Sequence, residues 1–153
     1  MTTPPEELLH VGWREWCSLP ELGLPNIKAK IDTGARTSCL HAFELQTFRE
    51  GGALWVRFGV HPVQKKSKLK VYCQTPVIDQ RMVSDSGGHR EKRFVIQTML
   101  ALGGQQWPIE MTLTNRDTML FRMLLGRTAM EQRILVQPGA SFLQGRPDRA
   151  SKP

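Results

Sequence analysis

The chain has 153 residues, of which 40% are hydrophobic and 23% charged, a composition typical of one folded domain with its own core. Its apolar runs fall short of the roughly 20 residues of a membrane-spanning helix. Residues 1–7 lack the basic start and apolar stretch of a signal peptide, so we expect a cytoplasmic protein without membrane association. Three scattered cysteines do not make a disulfide framework and are expected to be buried thiols. A net charge of +7 favours nucleic acid, acidic lipid or an acidic protein segment as a partner, and composition does not choose among them.

The chain divides into three predicted segments. Paired prolines and acids indicate a flexible start over residues 1–9. Glycine, proline and charged residues indicate a disordered tail over residues 144–153. The single domain between them spans residues 10–143.

Within this domain, hydrophobic residues alternate with polar ones, which is the pattern of half-buried strands. The predicted strands cover residues 27–31, 54–60, 69–73, 93–102 and 107–113. A connection over residues 103–106 joins the last two in a hairpin. Only residues 128–133 are predicted to form a helix. Turn signals recur at short intervals, so the sequence predicts an all-β sandwich or barrel.

An acid follows the first of these strands directly, in Asp32-Thr33-Gly34. An aspartic peptidase needs two carboxylates close enough to share one proton, because both cannot ionise at about 3 Å. Gly34 would allow a tight backbone turn, and the Thr33 hydroxyl could bond to a partner loop. A surface turn is the alternative, because so short a pattern recurs by chance. The candidate catalytic residues are therefore Asp32, Thr33 and Gly34.

A second feature lies late in the chain, where the apolar segment 123–125 ends in Gly126-Arg127. With Asp-Thr-Gly-Ala early and Leu-Gly-Arg late, the sequence resembles the retropepsins, and specifically the RimB-type family often labelled ATP-dependent zinc protease. The other matching segments are residues 30–38, 81–93 and 115–116, so the resemblance covers residues 10–143. It implies a retropepsin-like closed β-barrel or sandwich with one short C-terminal helix. It also implies that Leu125, Gly126 and Arg127 support the Asp32 loop.

Each retropepsin chain supplies one aspartate, so the resemblance implies a homodimer with two Asp32 side chains facing across a two-fold axis. A second triplet, Asp85-Ser86-Gly87, complicates this expectation, because two-lobed pepsins carry two such loops in one chain. No apolar strand leads into Asp85, which favours a mobile flap over substrate. A plain loop and a second catalytic loop remain the alternatives.

The charges suggest the substrate. Viral retropepsins commonly carry an acid at the position of Arg36, where it pairs with the arginine corresponding to Arg127, so Arg127 must find another partner here. The resemblance to RimB implies a link to RimK, a ligase that adds glutamates to a ribosomal protein. We therefore expect an acidic or glutamate-tailed substrate, although a solvated cationic face is the alternative. The predicted substrate-binding residues are Ala35, Arg36, Arg81, Ser84, Asp85, Ser86, Gly87, Arg90 and Arg93.

Neither zinc nor ATP is supported by a motif. The sequence has no His-Glu-x-x-His, no Cys-x-x-Cys and no phosphate-binding loop, so no metal site and no cofactor are predicted. Cys39 and His41 are more simply explained by packing. The rival to a peptidase is a non-catalytic module that binds RNA or an acidic protein. Aromatic residues are only 7% of the chain, which makes nucleic acid an unlikely partner.

Overall fold

The computed structural model describes residues 7–63, 69–84, 87–115 and 121–146. These residues form strands joined by short connections, with one α-helix and one 3-10 turn, Pro20–Leu22. In chain order the strands are β1 (Leu9–Val11), β2 (Arg14–Leu19), β3 (Leu24–Ile31), β4 (Ser38–His41), β5 (Phe43–Glu50), β6 (Ala53–Val60), β7 (Val71–Pro76), β8 (Asp79–Ser84), β9 (Arg90–Leu102), β10 (Gln105–Thr114), β11 (Met123–Leu125) and β12 (Ile134–Val136), and the helix α1 is Arg127–Met130. The predicted all-β class with one short helix is confirmed for this part of the chain.

Seven strands form the main sheet, in the order β10-β4-β11-β3-β2-β9-β8. Strand β10 pairs with β9 as well as with β4. The pairings that run from β10 through β4, β11, β3 and β2 to β9 therefore return to β10. A second sheet contains β5, β6 and β7, and the parallel pair of β1 and β12 forms a third. The buried hydrophobic residues of the described strands form one core cluster.

Strand β3 shows how the sequence produces this core. Ile27, Ala29 and Ile31 are buried, whereas Lys28 and Lys30 point to the other face, because side chains alternate along a strand. Burial of each of the two isoleucine side chains contributes about 1.5–3 kcal/mol relative to exposure. All three cysteines are free and buried, as predicted.

Several boundaries differ from those predicted. The helix is Arg127–Met130, because the backbone becomes extended at Glu131 and Gln132 has a φ of 64°, which redirects the chain into β12. The β9–β10 hairpin turns on Gly103 and Gly104 alone, with φ values of 60° and 81°, the left-handed angles of a two-residue turn. Strand β7 begins at Val71, and β9 begins at Arg90.

The two ends of the described chain are bonded to each other. Strand β1 begins at Leu9, inside the segment predicted to be flexible, and pairs with β12. The fully buried carboxylate of Glu15 accepts hydrogen bonds from the backbone N–H groups of Gly12, Leu143 and Gln144 at 2.7, 2.8 and 3.1 Å. Residue 144 of the predicted tail is therefore attached to the domain. Residues 1–6 and 147–153 lie outside the described ranges.

Candidate active site

Asp32 stands where β3 ends, half-buried at the edge of a cleft. Its Oδ1 accepts hydrogen bonds from the backbone N–H groups of Gly34 and Ala35 at 3.0 and 3.2 Å. Two donors on one oxygen fix the orientation of the carboxylate. No described residue donates to Oδ2, which is therefore open to a second carboxyl or a water. Thr33 and Gly34 are exposed beside it.

The loop that carries Asp32 rests on β11, which lies between β3 and β4. The Asp32 N–H donates to the Leu125 carbonyl at 2.9 Å. In return, the Arg127 N–H donates to the Ala35 carbonyl at 2.7 Å, and the Gly126 N–H donates to the Ser38 hydroxyl at 3.0 Å. These bonds satisfy backbone groups that would otherwise be buried without partners. They place Leu125, Gly126 and Arg127 directly beneath the Asp32 loop.

Gly126 is required by space and not by its backbone angle. Its φ of −92° and ψ of 173° are open to any residue. A β-carbon there would lie 2.5 Å from the backbone carbon of Thr37 and 2.8 Å from the backbone nitrogen of Ser38. Strand β11 can therefore approach the Asp32 loop this closely only with glycine at this position.

A hairpin of β8 and β9 stands over the cleft. It pairs antiparallel from Asp79 opposite Val95 to Ser84 opposite Arg90. Asp85 and Ser86 of the predicted flap lie outside the described ranges, and Gly87 is exposed at the turn. The cleft has a volume of about 750 Å³. The residues that line it are Asp32, Gly34, Ala35, Arg36, Thr37, Cys39, Arg81, Met82, Val83, Ser84, Arg93, Thr112, Thr114 and Leu124.

Arg81 is a cleft residue whose charge is already engaged. Its guanidinium lies 2.7 Å from the Asp79 carboxylate and 2.9 Å from that of Glu110. The hydrogen bonds with Glu110 and Asp79 raise the pKa of Arg81 above its ordinary value. Arg81 was predicted to bind substrate as one of the cations beside the cleft, but the sequence could not show that β10 brings Glu110 to it.

Arg93 is also engaged, and it is buried. Its side chain is 9% exposed, and its Nε lies 2.5 Å from Glu91 Oε1, which also accepts the Thr114 hydroxyl. A terminal nitrogen contacts Cys39 Sγ and Thr112 Oγ1, both at 3.5 Å. Burial raises the pKa of the Glu91 carboxyl, but the bonds from Thr114 and Arg93 outweigh it, so this pKa lies below its ordinary value. Arg93 is thus part of the cleft wall.

The remaining predicted arginines are exposed. Arg36 lines the cleft and forms no ion pair within the described ranges. Arg90 begins β9 and lies outside the cleft lining. The missing partner of Arg127 is Glu131, whose Oε1 lies 4.0 Å from the Arg127 Nε with both side chains more than half exposed. Such a pair adds well under 1 kcal/mol.

Sequence reasoning missed Lys30 and Cys39. Lys30 precedes Asp32 by two residues, so strand alternation puts both on one face. Cys39 is buried in β4 and lines the cleft. Lys30 could have been found by extending the alternation back from Asp32 along β3, whereas Cys39 lies on β4, beyond a loop, where this alternation does not reach. Within the described ranges, no cluster of three or more His, Cys, Asp or Glu side chains could hold a metal ion. No helix in those ranges is long and apolar enough to cross a membrane.

Comparison with known proteins gives a family and a related structure. A family model described as RimB-like, "Retropepsin-like aspartic endopeptidase RimB", matches residues 10–147. Probable alpha-L-glutamate ligases of Desulfotalea psychrophila and Parasynechococcus marenigrum are 50% and 52% identical to the chain over 141 and 135 residues. These matches cover 92% and 88% of this chain but 30% and 29% of the ligases. The chain therefore spans less than a third of the length of these relatives.

Among solved structures, a Legionella pneumophila protein of unknown function is 26% identical to the chain, with a TM-score of 0.75. The match covers 90% of this chain and 99% of that one. The β-rich architecture described above is therefore shared with a crystallised protein over nearly its whole length.

Proposed function

This chain belongs to the RimB-like family of retropepsin-like aspartic endopeptidases, and on that premise we propose that it is an aspartic peptidase with Asp32 as its catalytic carboxylate. One observation carries the proposal. Asp32 Oδ1 is held by two backbone N–H groups in a loop that rests on β11 and borders the cleft. The ring of strand pairings supports a retropepsin-like arrangement around it.

The second carboxylate comes, in this proposal, from Asp32 of a second copy. The described ranges contain one loop of this kind, and hydrolysis by this route needs two carboxylates that share a proton. The ionised member takes a proton from water, and the protonated member polarises the scissile carbonyl. A homodimer with its two-fold axis between the Asp32 loops supplies both. The β8–β9 hairpin is the proposed flap.

The proposed substrate is an acidic, glutamate-extended protein tail in the cytoplasm. Curated relatives are named as glutamate ligases, so a peptidase acting beside such a ligase would meet its products. Arg36 contributes a cation to the cleft lining, which suits a carboxylate-bearing chain. A partner ligase of the RimK type, joined to this module or separate from it, belongs to the same proposal.

The test is hydrolysis by Asp32→Asn. We expect peptides ending in several glutamates to be cleaved by the wild type and the variant to lose about a thousandfold or more in rate, since an amide cannot share the proton. Circular dichroism should be unchanged and peptide binding retained. Glu50→Gln, at an exposed strand end away from the cleft, is the charge-matched control and should keep full activity. Unaltered hydrolysis by Asp32→Asn would exclude this role.

One observation favours a second candidate, the binding of an acidic partner without catalysis. Arg14 lies 4.8 Å from the Phe142 ring, and Arg146 lies 4.4 Å from the Trp16 ring. Cations held over aromatic rings form a rigid basic face on β2 and the C-terminal segment. This candidate would replace the peptidase if an acidic protein bound to this face and no hydrolysis were seen under any condition. Arg14→Ala should then weaken the binding, whereas Asp32→Asn should not.

A further inference from the structure

The cleft face of the main sheet continues past its lining residues to Lys30. Leu124 of β11 lines the cleft and is paired in register with Cys39 on one side and with Lys30 on the other. Residues paired in register on adjacent strands point to the same face. Cys39 lines the cleft as well, so this face is the cleft face. Lys30 therefore extends the row at the cleft's edge, with its side chain exposed.

Alternation along β3 gives the same placement independently. Lys30 and Asp32 are two residues apart, so their side chains leave the same face. At about 3.3 Å per residue, the two α-carbons are separated by about 6.6 Å. That distance is also the spacing of alternate side chains in an extended peptide lying in the cleft. Lys30 can thus reach a substrate side chain near the bond that faces Asp32.

The charges of the cleft distinguish Lys30 from two of its arginines, whereas Arg36 is exposed and forms no ion pair within the described ranges. Arg81 is held by Asp79 and Glu110, and Arg93 is held by Glu91. An incoming carboxylate would compete with those partners for the guanidinium N–H groups, whereas an unengaged cation presents no such competition. Within the described ranges, no acidic side chain forms an ion pair with Lys30. Its amine is therefore the unengaged cation nearest Asp32 along β3.

We propose that Lys30 is a specificity-determining residue that binds a carboxylate side chain of the substrate next to the scissile bond. The proposal rests on the proposed function for the position of the substrate. Lys30 is in register with Leu124 and is exposed, so its aliphatic stem can cover apolar surface beside Leu124 while its amine stays in water. An acidic substrate residue gains an ion pair there, whereas glutamine at the same position gains none.

The experiment measures binding in the Asp32→Asn background, so that turnover does not interfere. The probes are fluorescein-labelled hexaglutamate and hexaglutamine, followed by anisotropy at about 0.15 M salt, where long-range charge effects are screened. Lys30→Met keeps the stem and removes the charge, and Lys30→Arg restores a cation. Lys28→Met is the matched control, because Lys28 lies on the same face of β3 but over the Trp16 ring, 5.2 Å from its centroid.

We expect Lys30→Met to weaken hexaglutamate binding about fivefold or more, to leave hexaglutamine binding unchanged, and to be rescued by Lys30→Arg. Lys28→Met should bind hexaglutamate as the parent does. Equal losses in Lys30→Met and Lys28→Met would indicate a general charge effect and overturn the proposal. So would unchanged binding in Lys30→Met, or an absence of hexaglutamate binding by the parent protein.

Hydrolysis by the protein with Asp32 intact is measured separately with single Glu→Gln peptides. If the wild type cleaves glutamate peptides and Lys30→Met discriminates between glutamate and glutamine as the wild type does at every substrate position, the inference fails and the proposed function stands. If Lys30 governs binding but no protein hydrolyses any peptide, the proposed function fails while the carboxylate site remains. Loss of discrimination at one substrate position in Lys30→Met supports both.

Discussion

Gly126→Ala tests how closely β11 must approach the Asp32 loop. An added β-carbon would lie 2.5 Å from the backbone carbon of Thr37, whereas ordinary contacts begin at 3.4 Å. The loop or the strand must then move by about 0.9 Å, the difference between these two distances. Because the opposing atoms are backbone, no rotamer change can relieve the contact.

The expected loss has two parts. Overpacking of this kind costs about 1–3 kcal/mol, of which the reduced freedom of the unfolded chain offsets about 0.5 kcal/mol. We therefore expect a loss of about 0.5–2.5 kcal/mol in the free energy of unfolding, measured with urea. Displacement of the carboxylate by nearly 1 Å should lower kcat/KM about a hundredfold, measured under conditions where the variant is folded.

Gly139→Ala is the matched control. Nothing lies within 4 Å of a β-carbon there, and its φ is not in the left-handed region. It should change stability by no more than about 0.5 kcal/mol and leave activity intact. If Gly126→Ala were as stable and as active as Gly139→Ala, the close support of the Asp32 loop by β11 would be refuted.

Two further predictions concern the carboxylates of Glu15 and Glu91. Glu15→Gln should lower the free energy of unfolding by about 2 kcal/mol, because the amide group cannot accept all three backbone N–H bonds. The control, Glu21→Gln at an exposed position, should change this free energy little. Equal effects of the two substitutions would contradict the role of Glu15. Glu91 has a folded pKa below its ordinary 4.5, so its ion pair stabilises the protein fully above that pH and less as the pH falls through the folded value. Glu91→Gln should therefore be less stable than the wild type by about 1 kcal/mol at pH 7, and the gap should shrink toward pH 3 in urea titrations; a gap that widened would contradict the assignment.

The Asp32 loop and its supporting strand could be predicted from sequence because their signals are local. An apolar run before Asp32, glycine after it, and Leu124 to Gly126 before a helix each occupy a few consecutive residues. The contact between the Asp32 loop and this strand could be expected only from the family resemblance, since no local sequence pattern places β11 between β3 and β4. The structure provides that contact through the bond from the Asp32 N–H to the Leu125 carbonyl.

The polar partners could not be predicted, because they depend on the register of distant strands. Glu110 meets Arg81 across 29 positions, and Thr114 meets Glu91 across 23. The same limit hid the attachment of Leu143 to Glu15, 128 positions away. Lys30 was accessible in principle through alternation with Asp32, but its significance depends on knowing that Arg81 and Arg93 are already paired.

The central claim is that two copies of Asp32 act together, and mixing wild-type and Asp32→Asn chains tests it most directly. Total chain concentration is held constant, above the level needed for dimerisation, and the chains are allowed to exchange before hydrolysis of a glutamate-tailed peptide is measured. Random pairing leaves two aspartates in about a quarter of the dimers of an equal mixture, so the account predicts about a quarter of the wild-type rate. A rate that falls only to half, in proportion to the wild-type chains present, would show that each chain acts alone and would contradict it.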